Sequence, residues 1–358
     1  MKILVIYPEY KDATTGGQIY DHYFIDRIIL KKNYTIDFLT DSMLCSNSKY
    51  LYNIVYLKEF FRARKYDIIL TNSRLYTRLI LLFFFLRLFS KSKLISIHHH
   101  FNFFGEEKFI PHKIHKFLEL RFLKFCYSTI IPSPYVKDVF QNLLPKKRFF
   151  YLQLAFEKRL IIKKELKNEE ADLLYVGTIE RRKGLIFLLK ALLLLKSEDI
   201  VFHCNIVGKV IDEDYYSFLR RFVTEKGLDS NVSFYGRVSR GDLDNFYRKA
   251  TCFVFPSLLE GFGMVIIEAM SFGVPVVAFN NSAMPYAIKH LENGLLAENK
   301  NFIDFNCCIL QVLNDKILRN KLSEGAYNTY QKARGYDDLD SEIDFLCQSK
   351  FDTVELNK

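Results

Sequence analysis

Short apolar runs alternate with longer amphipathic ones along most of this chain. Ile3–Tyr7 predicts a strand, Gly16-Gly17 a loop, and Ile19–Leu30 a helix; Thr35–Thr40 and Asp67–Thr71 predict two more strands. Arg74–Phe89 has the length of a helix, and Lys93–Ile97 returns as a strand that ends at His98-His99-His100. Leu160 to Ala171 is charged and without strand pattern, so it reads as the linker or its edge. Alternation then restarts. Strands are predicted at Leu173–Val176, Val201–Val207, Val232–Tyr235, Cys252–Phe255 and Val276–Phe279, and helices at Gly184–Leu195, Tyr215–Glu225, Leu243–Ala250 and from Gly263.

Strand, crossover helix, strand is the unit of a parallel sheet, whose sites lie at the carboxyl ends of the strands. The fold class expected is α/β, with two similar parallel sheets in series and a cleft between the domains. Residues 1–165 form the first domain and 166–335 the second. The tail 336–358, apolar at Leu339, Ile343, Phe345 and Leu346, is expected to pack back as a helix. A length of 358 residues suits two such domains.

Charge is uneven. Residues 1–165 hold 28 Lys/Arg against 14 Asp/Glu, a balance of +14, and the remainder holds 23 against 27, or −4. The first half therefore suits phosphates, nucleic acid or an anionic membrane face. Seven cysteines without a C-x-x-C pair argue against a disulfide scaffold or cysteine zinc site and for a reducing compartment. The greasy run Leu79–Leu86 is too short to span a bilayer. A cytoplasmic protein is the expectation.

The most informative stretch runs from Phe255-Pro256-Ser257 through Glu260-Gly261-Phe262-Gly263-Met264-Val265-Ile266-Ile267-Glu268-Ala269-Met270 to Gly273-Val274-Pro275-Val276. It reads as a buried strand, a glycine-bracketed turn and a helix whose first amides, at Gly263, Met264 and Val265, form an anion site for a diphosphate. Glu260 and Glu268 flank that site, where carboxylates suit sugar hydroxyls rather than phosphate. This E-x7-E stretch resembles the retaining glycosyltransferases of family 4, whose GT-B fold implies two doubly wound, Rossmann-like domains facing a cleft. Upstream, Gly177-Thr178-Ile179-Glu180-Arg181-Arg182-Lys183-Gly184 resembles the family's strand and basic turn, with Arg182 and Lys183 as its adjacent basic pair. Thr178 stands where the family commonly has an arginine, which shifts phosphate load onto that pair. Thr14-Thr15-Gly16-Gly17-Gln18 resembles the N-terminal glycine loop facing the donor phosphate and the acceptor. His98 aligns with the family histidine that contacts donor sugar or acceptor, and Tyr235-Gly236-Arg237-Val238-Ser239 resembles the loop cradling the base.

The resemblance implies transfer of a sugar, with retention, from a nucleoside-diphosphate sugar to a saccharide or lipid-linked saccharide acceptor, as in surface polysaccharide biosynthesis. Glu260 would hold the sugar's hydroxyls and Glu268 the ribose. Arg182, Lys183 and the amides after Gly261 would neutralise the leaving diphosphate, with no metal or other cofactor.

Other readings stand beside it. The histidine run has a purely structural alternative, and His112 with His115 offers two ligands for zinc. Asp41 ends a strand at the distance of a ribose acid, although G-x-G-x-x-G is missing. The triplets Asp212–Asp214, Asp242–Asp244 and Asp338–Asp340, each near an expected helix start, read as caps. Arg74–Phe89 is either a crossover helix buried on its sheet or a helix that docks peripherally on anionic lipid at the cytoplasmic face. A nucleotide-sugar epimerase or hydrolase of the same fold, and a basic nucleotide- or nucleic-acid-binding module, are the rival functions; no specific nucleic acid is expected.

Overall fold

A computed structural model describes residues 1–7, 16–31, 33–40, 56–104, 111–158, 171–198 and 200–352. The expected linker 160–171, apart from Ala171, and Thr14, Thr15 and Asp41 lie outside the described residues. Contacts divide the chain into two units, one of residues 1–157 with 334–358, the other of 158–333. The expected boundaries were 165/166 and 335/336.

The first unit holds a six-stranded sheet of β1 (Lys2–Ile6), β2 (Thr35–Leu39), β3 (Ile68–Asn72), β4 (Lys93–Ile97), β5 (Ser128–Ile131) and β6 (Phe149–Tyr151). The order is β2-β1-β3-β4-β5-β6, and every pair is parallel. The strands are near-continuous apolar runs because helices cover both faces. Gly16 and Gly17 are not a loop as expected but the first turn of the helix Gly16–Ile29. Glycines at a helix start have no interior propensity cost to bear. Arg74 belongs to a short 3-10 turn, Ser73–Leu75, that precedes the helix Tyr76–Phe89. In that helix Leu79, Leu82, Phe83 and Leu86 are buried. The helix Tyr336–Gln348 packs in this same unit through buried Leu339, Ile343 and Leu346. Tyr23 stacks on Tyr336 at 4.1 Å and donates to Asp340 at 2.7 Å.

The second unit holds β7 (Ala171–Val176), β8 (Phe202–Val207), β9 (Val232–Gly236), β10 (Cys252–Phe255), β11 (Val276–Phe279) and β12 (Gly294–Ala297). Its order, β12-β11-β10-β7-β8-β9, is again all parallel. Renumbered within the unit it is the doubly wound order 3-2-1-4-5-6, whose direction of winding reverses between β7 and β10. Pairing of those strands is recorded for Cys252↔Leu173 and Phe253↔Leu174, two residues short of either strand's end. The carboxyl ends of β7 and β10 are thus the place in this unit where a ligand crevice is expected. The expected α/β class, two Rossmann-like domains, is the observed one.

Candidate functional site

The two loops that leave β7 and β10 are stitched together. After β7, Glu180–Lys183 makes a tight turn that ends at Gly184, where φ is +66°. A Cβ at Gly184 would lie 2.1 Å from the carbonyl oxygen of Pro256, so only glycine lets the turn approach the other loop this closely. The Leu258 amide donates to Arg182 O at 2.9 Å, and Arg182 Nη1 donates to Leu259 O at 2.6 Å. Residues 77 and 78 positions apart meet because β7 and β10 pair.

Glu260 sits at the centre, with its side chain only 11% exposed. Its Oε1 accepts from Lys183 Nζ, from Arg182 Nη1 at 3.4 Å and from Ser257 Oγ at 2.9 Å. These contacts all fall on Oε1. Its own amide donates to Ser282 Oγ at 3.0 Å, which fixes the backbone on the far side. Burial alone would raise the Glu260 pKa, but the charges of Lys183 and Arg182 and the hydrogen bonds outweigh it, and the net shift is downward. Burial pushes the Lys183 ammonium the other way, to a lower pKa, against the pull of Glu260. Lys183 Nζ also lies 5.1 Å from the centroid of the Phe255 ring. Arg182 is shared with Glu180, its Nη2 donating at 2.8 Å, and its pKa is raised because Glu260 and Glu180 outweigh the burial that would lower it. Two cations and one carboxylate of the first loop therefore meet the Glu260 carboxylate of the second, with backbone contacts holding the two loops together.

Beyond Glu260 the chain turns through Gly261 and Phe262 to Gly263, at φ +81°, and enters the helix Met264–Ser271. No side chain caps that helix start. The Met264 and Val265 amides belong to its first turn, at the positive end of the dipole. Glu268, one turn further, is partly exposed. Its Oε2 accepts from Tyr247 OH at 3.3 Å and lies 3.7 Å from Arg240 Nη1.

Arg237 is exposed and Val238 half-buried, just beyond the end of β9, the edge strand of the sheet. The helix that follows them, Arg240–Lys249, carries Arg240 and Tyr247 back to Glu268. The structure thus brings Arg182, Lys183, Glu260 and the helix start into one cluster and joins Glu268 to the helix after Arg237.

Sequence reasoning missed Ser282, Asn281 and the role of Glu180. Asn281 Nδ2 donates to Ser257 O at 3.0 Å, and Ser282, at φ +42°, is held in the left-handed region where it reaches Glu260. The available signal was position: Asn280-Asn281-Ser282 directly follows β11, neighbour of β10 in the winding order.

The first unit forms its own cluster at the carboxyl ends of β1, β3 and β4. His98, chosen from sequence as the histidine that meets substrate, is fully buried. Its Nδ1 shares a 2.7 Å hydrogen bond with Ser73 Oγ, and its ring packs edge-on to Phe101 at 4.4 Å. Burial, and then His99, depress its pKa to about 3, so it is neutral at ordinary pH. His99, in the bend just beyond β4, lies against Gly17, where a Cβ would be 3.3 Å from its ring. Its Nε2 pairs with Asp21 Oδ1 at 2.7 Å, and buried Asp21 accepts at Oδ2 from Tyr7 OH at 2.9 Å and Asn72 Nδ2 at 2.5 Å. It is His99, not His98, that adjoins the glycine pair. Gly16 is half-buried at the same helix start.

The zinc alternative gains no support. His115 is buried with Nδ1 engaged by Tyr76, and no group of three His, Cys, Asp or Glu gathers as metal ligands among the described residues. Of the three expected caps, Asp212 is one, accepting from the Tyr215 amide at 2.9 Å, whereas Asp242 and Asp338 stand in the first turns of helices whose N-cap residues are Ser239 and Gly335.

Residues 157–329 match the family described as Glycosyl transferases group 1. An uncharacterised glycosyltransferase of Methanocaldococcus jannaschii is 34% identical over 166 residues, 46% of this chain and 45% of that protein. The O-antigen chain mannosyltransferase B of Escherichia coli is 36% identical over 144 residues, 40% of this chain and 36% of the relative. The chain spans about half the length of the first curated relatives it matches, 45 to 55%. Among solved structures, sucrose-phosphate synthase from Thermosynechococcus elongatus superposes with a TM-score of 0.82 at 18% identity, covering 98% of this chain and 99% of that one. HepE of Anabaena in complex with UDP-glucose gives 0.76 at 17% identity, covering 98% and 100%. The fold is therefore GT-B, two Rossmann-like units, and most of the second unit is similar to glycosyl transferases of group 1.

Proposed function

We propose that this chain is a retaining glycosyltransferase, of the family 4 type, that moves a sugar from a nucleoside-diphosphate sugar to a saccharide or lipid-linked saccharide acceptor. The observation that carries the reading is the convergence of Arg182, Lys183 and Glu260 beside a helix start without a side-chain cap, at the switch point of the second sheet. Arg182, Lys183 and the Met264 and Val265 amides neutralise the charge that builds on the departing diphosphate; such preorganised charge acts without metal. Glu260, occupied on Oε1 by its cations, offers Oε2 to the hydroxyls of the transferred sugar. Glu268 takes the ribose hydroxyls, and the loop at Arg237 and Val238 takes the base. In transfer, the bond between the anomeric carbon and the diphosphate breaks while the acceptor oxygen bonds to the same face, its proton passing to the leaving phosphate. No protein nucleophile is needed.

The first unit carries the acceptor side, with His99 and the Gly16-Gly17 turn as its polar wall. Work on the cytoplasmic face of a membrane, in assembly of a surface polysaccharide, fits the basic first half and the similarity to an O-antigen mannosyltransferase. The test is a thermal-shift panel of UDP-, GDP- and ADP-sugars followed by product analysis with donor alone and with saccharide acceptors. One donor should raise the melting temperature by mass action and be consumed chiefly when acceptor is present. Stabilisation by none, or an epimerised or hydrolysed donor as the main product with or without acceptor, contradicts the reading.

A further inference from the structure

The helices Tyr76–Phe89 and His112–Phe125 pack side by side, Phe83 against Phe122 at 4.8 Å. Burial of Leu79, Leu82, Phe83 and Leu86 leaves a second apolar face uncovered. Its rings form a continuous strip. Phe89 stacks on Phe85 at 6.3 Å, Phe85 meets Phe84 at 5.4 Å, and Phe84 crosses to Phe125 of the other helix at 5.5 Å. The Arg121 guanidinium then bridges the Phe125 and Phe117 rings, 5.8 and 5.9 Å from their centroids. Phe117 and Phe89 are each 61% exposed, Leu88 57% and Ile114 48%.

All the exposed charge on these two helices is positive. Arg87, Lys113, Lys116, Arg121 and Lys124 project to solvent. The single acid, Glu119, is buried and accepts from Asn102 and the Phe103 amide. Lysines and arginines around rings and aliphatic tips suit a surface that is anionic at its boundary and oily beneath. Single-stranded nucleic acid would also meet basic and aromatic groups. Leu88 and Ile114, however, offer no stacking plane and no hydrogen bond, and a hydrocarbon phase rewards their burial where a nucleic acid does not.

We propose that this two-helix face docks the protein on an anionic phospholipid bilayer, with Phe117, Phe84 and Leu88 entering the headgroup–acyl boundary and the basic side chains at the phosphates. The inference deepens the membrane part of the reading above; its test needs no sugar transfer, so the two can fail separately.

The chain has no tryptophan, so Phe117→Trp in the full-length protein provides a single fluorescent reporter at an exposed position. Leu88→Trp provides a second should the first fail to fold. With phosphatidylglycerol vesicles at low salt the emission should shift to the blue and be quenched by brominated acyl chains; phosphatidylcholine vesicles should leave it unchanged. Adding Lys116→Ala and Lys124→Ala should lower partitioning about 25-fold, roughly fivefold per charge. The proposal is overturned if neither reporter responds to anionic vesicles, if neutral vesicles give the same response, or if an oligothymidylate alone reproduces it. A blue shift that grows with protein concentration in the absence of lipid would overturn it in favour of self-association.

Discussion

Replacing Lys183 by methionine tests whether the central cluster is built as described. The substitution keeps an unbranched apolar side chain and removes the ammonium, together with its contact to the Phe255 ring. Glu260 then stays buried, with Ser257 at 2.9 Å and Arg182 at 3.4 Å, the latter also held by Glu180. Removing one partner of a buried pair costs about 3–5 kcal/mol. Because Arg182 and Ser257 remain, the lower end applies, about 3 kcal/mol. At about 2–4 °C per kcal/mol for a unit of this size, that lowers the melting temperature by roughly 6–12 °C. The carboxyl of Glu260, freed of its larger downward influence, should titrate upward. Adding Glu260→Gln should then recover part of the loss, because no uncompensated charge is left. Thermal melts at neutral pH of wild type, both single variants and the double variant give the coupling energy directly. A melting temperature unchanged in Lys183→Met, or strict additivity in the double variant, would refute the buried pair.

Three further outcomes are expected. Buried His98, with its folded pKa depressed to about 3, makes stability fall as pH drops below the unfolded value of about 6.5 and through the window down to 3, by about 1.4 kcal/mol per pH unit. His98→Gln should flatten that slope by one proton in urea titrations at pH 6 and pH 4.5, and an unchanged slope would show that His98 is not held neutral. Gly184→Ala, with a Cβ 2.1 Å from Pro256 O at φ +66°, should cost on the order of 1–3 kcal/mol and weaken donor binding as the two loops part; wild-type stability and binding would contradict the stitched-loop geometry. Transfer activity should survive EDTA, whereas complete loss restored by magnesium or manganese would show that side chains and amides do not suffice.

The α/β class was legible because the period of hydrophobic residues switches regularly between strand and helix, and fully buried parallel strands leave unbroken apolar runs such as Phe253-Val254-Phe255. The helix start beyond Gly263 was legible because glycine and the following apolar period are local signals. Strand order is not local. That Arg182 touches Leu259 and Glu260 follows from β7 lying beside β10, a long-range pairing no window of sequence contains. The histidine run shows the same limit. A strand pattern carried through the run predicts that neighbouring histidines face opposite ways, but β4 ends at Ile97, and which histidine is inside depends on Ser73, Phe101 and Phe140 closing over His98. The short strand Phe149–Tyr151 and the helices Phe302–Asn314 and Lys316–Lys332 also went unread, the first because three residues carry no period.

The most direct test of the account is calorimetric titration of the free nucleoside diphosphate into wild type, Glu260→Ala and Glu268→Ala. Glu268 is assigned the ribose, and losing a charged hydrogen-bond partner should weaken binding by about 1.5–3 kcal/mol, roughly ten- to a hundredfold. Glu260 is assigned the sugar, which the free nucleotide lacks, and its removal leaves Arg182 and Lys183 less opposed. Affinity in Glu260→Ala should therefore stay level or rise while turnover collapses. Equal losses in the two variants, or no binding of UDP, GDP or ADP to wild type, would contradict the assignment of this cluster as the donor site.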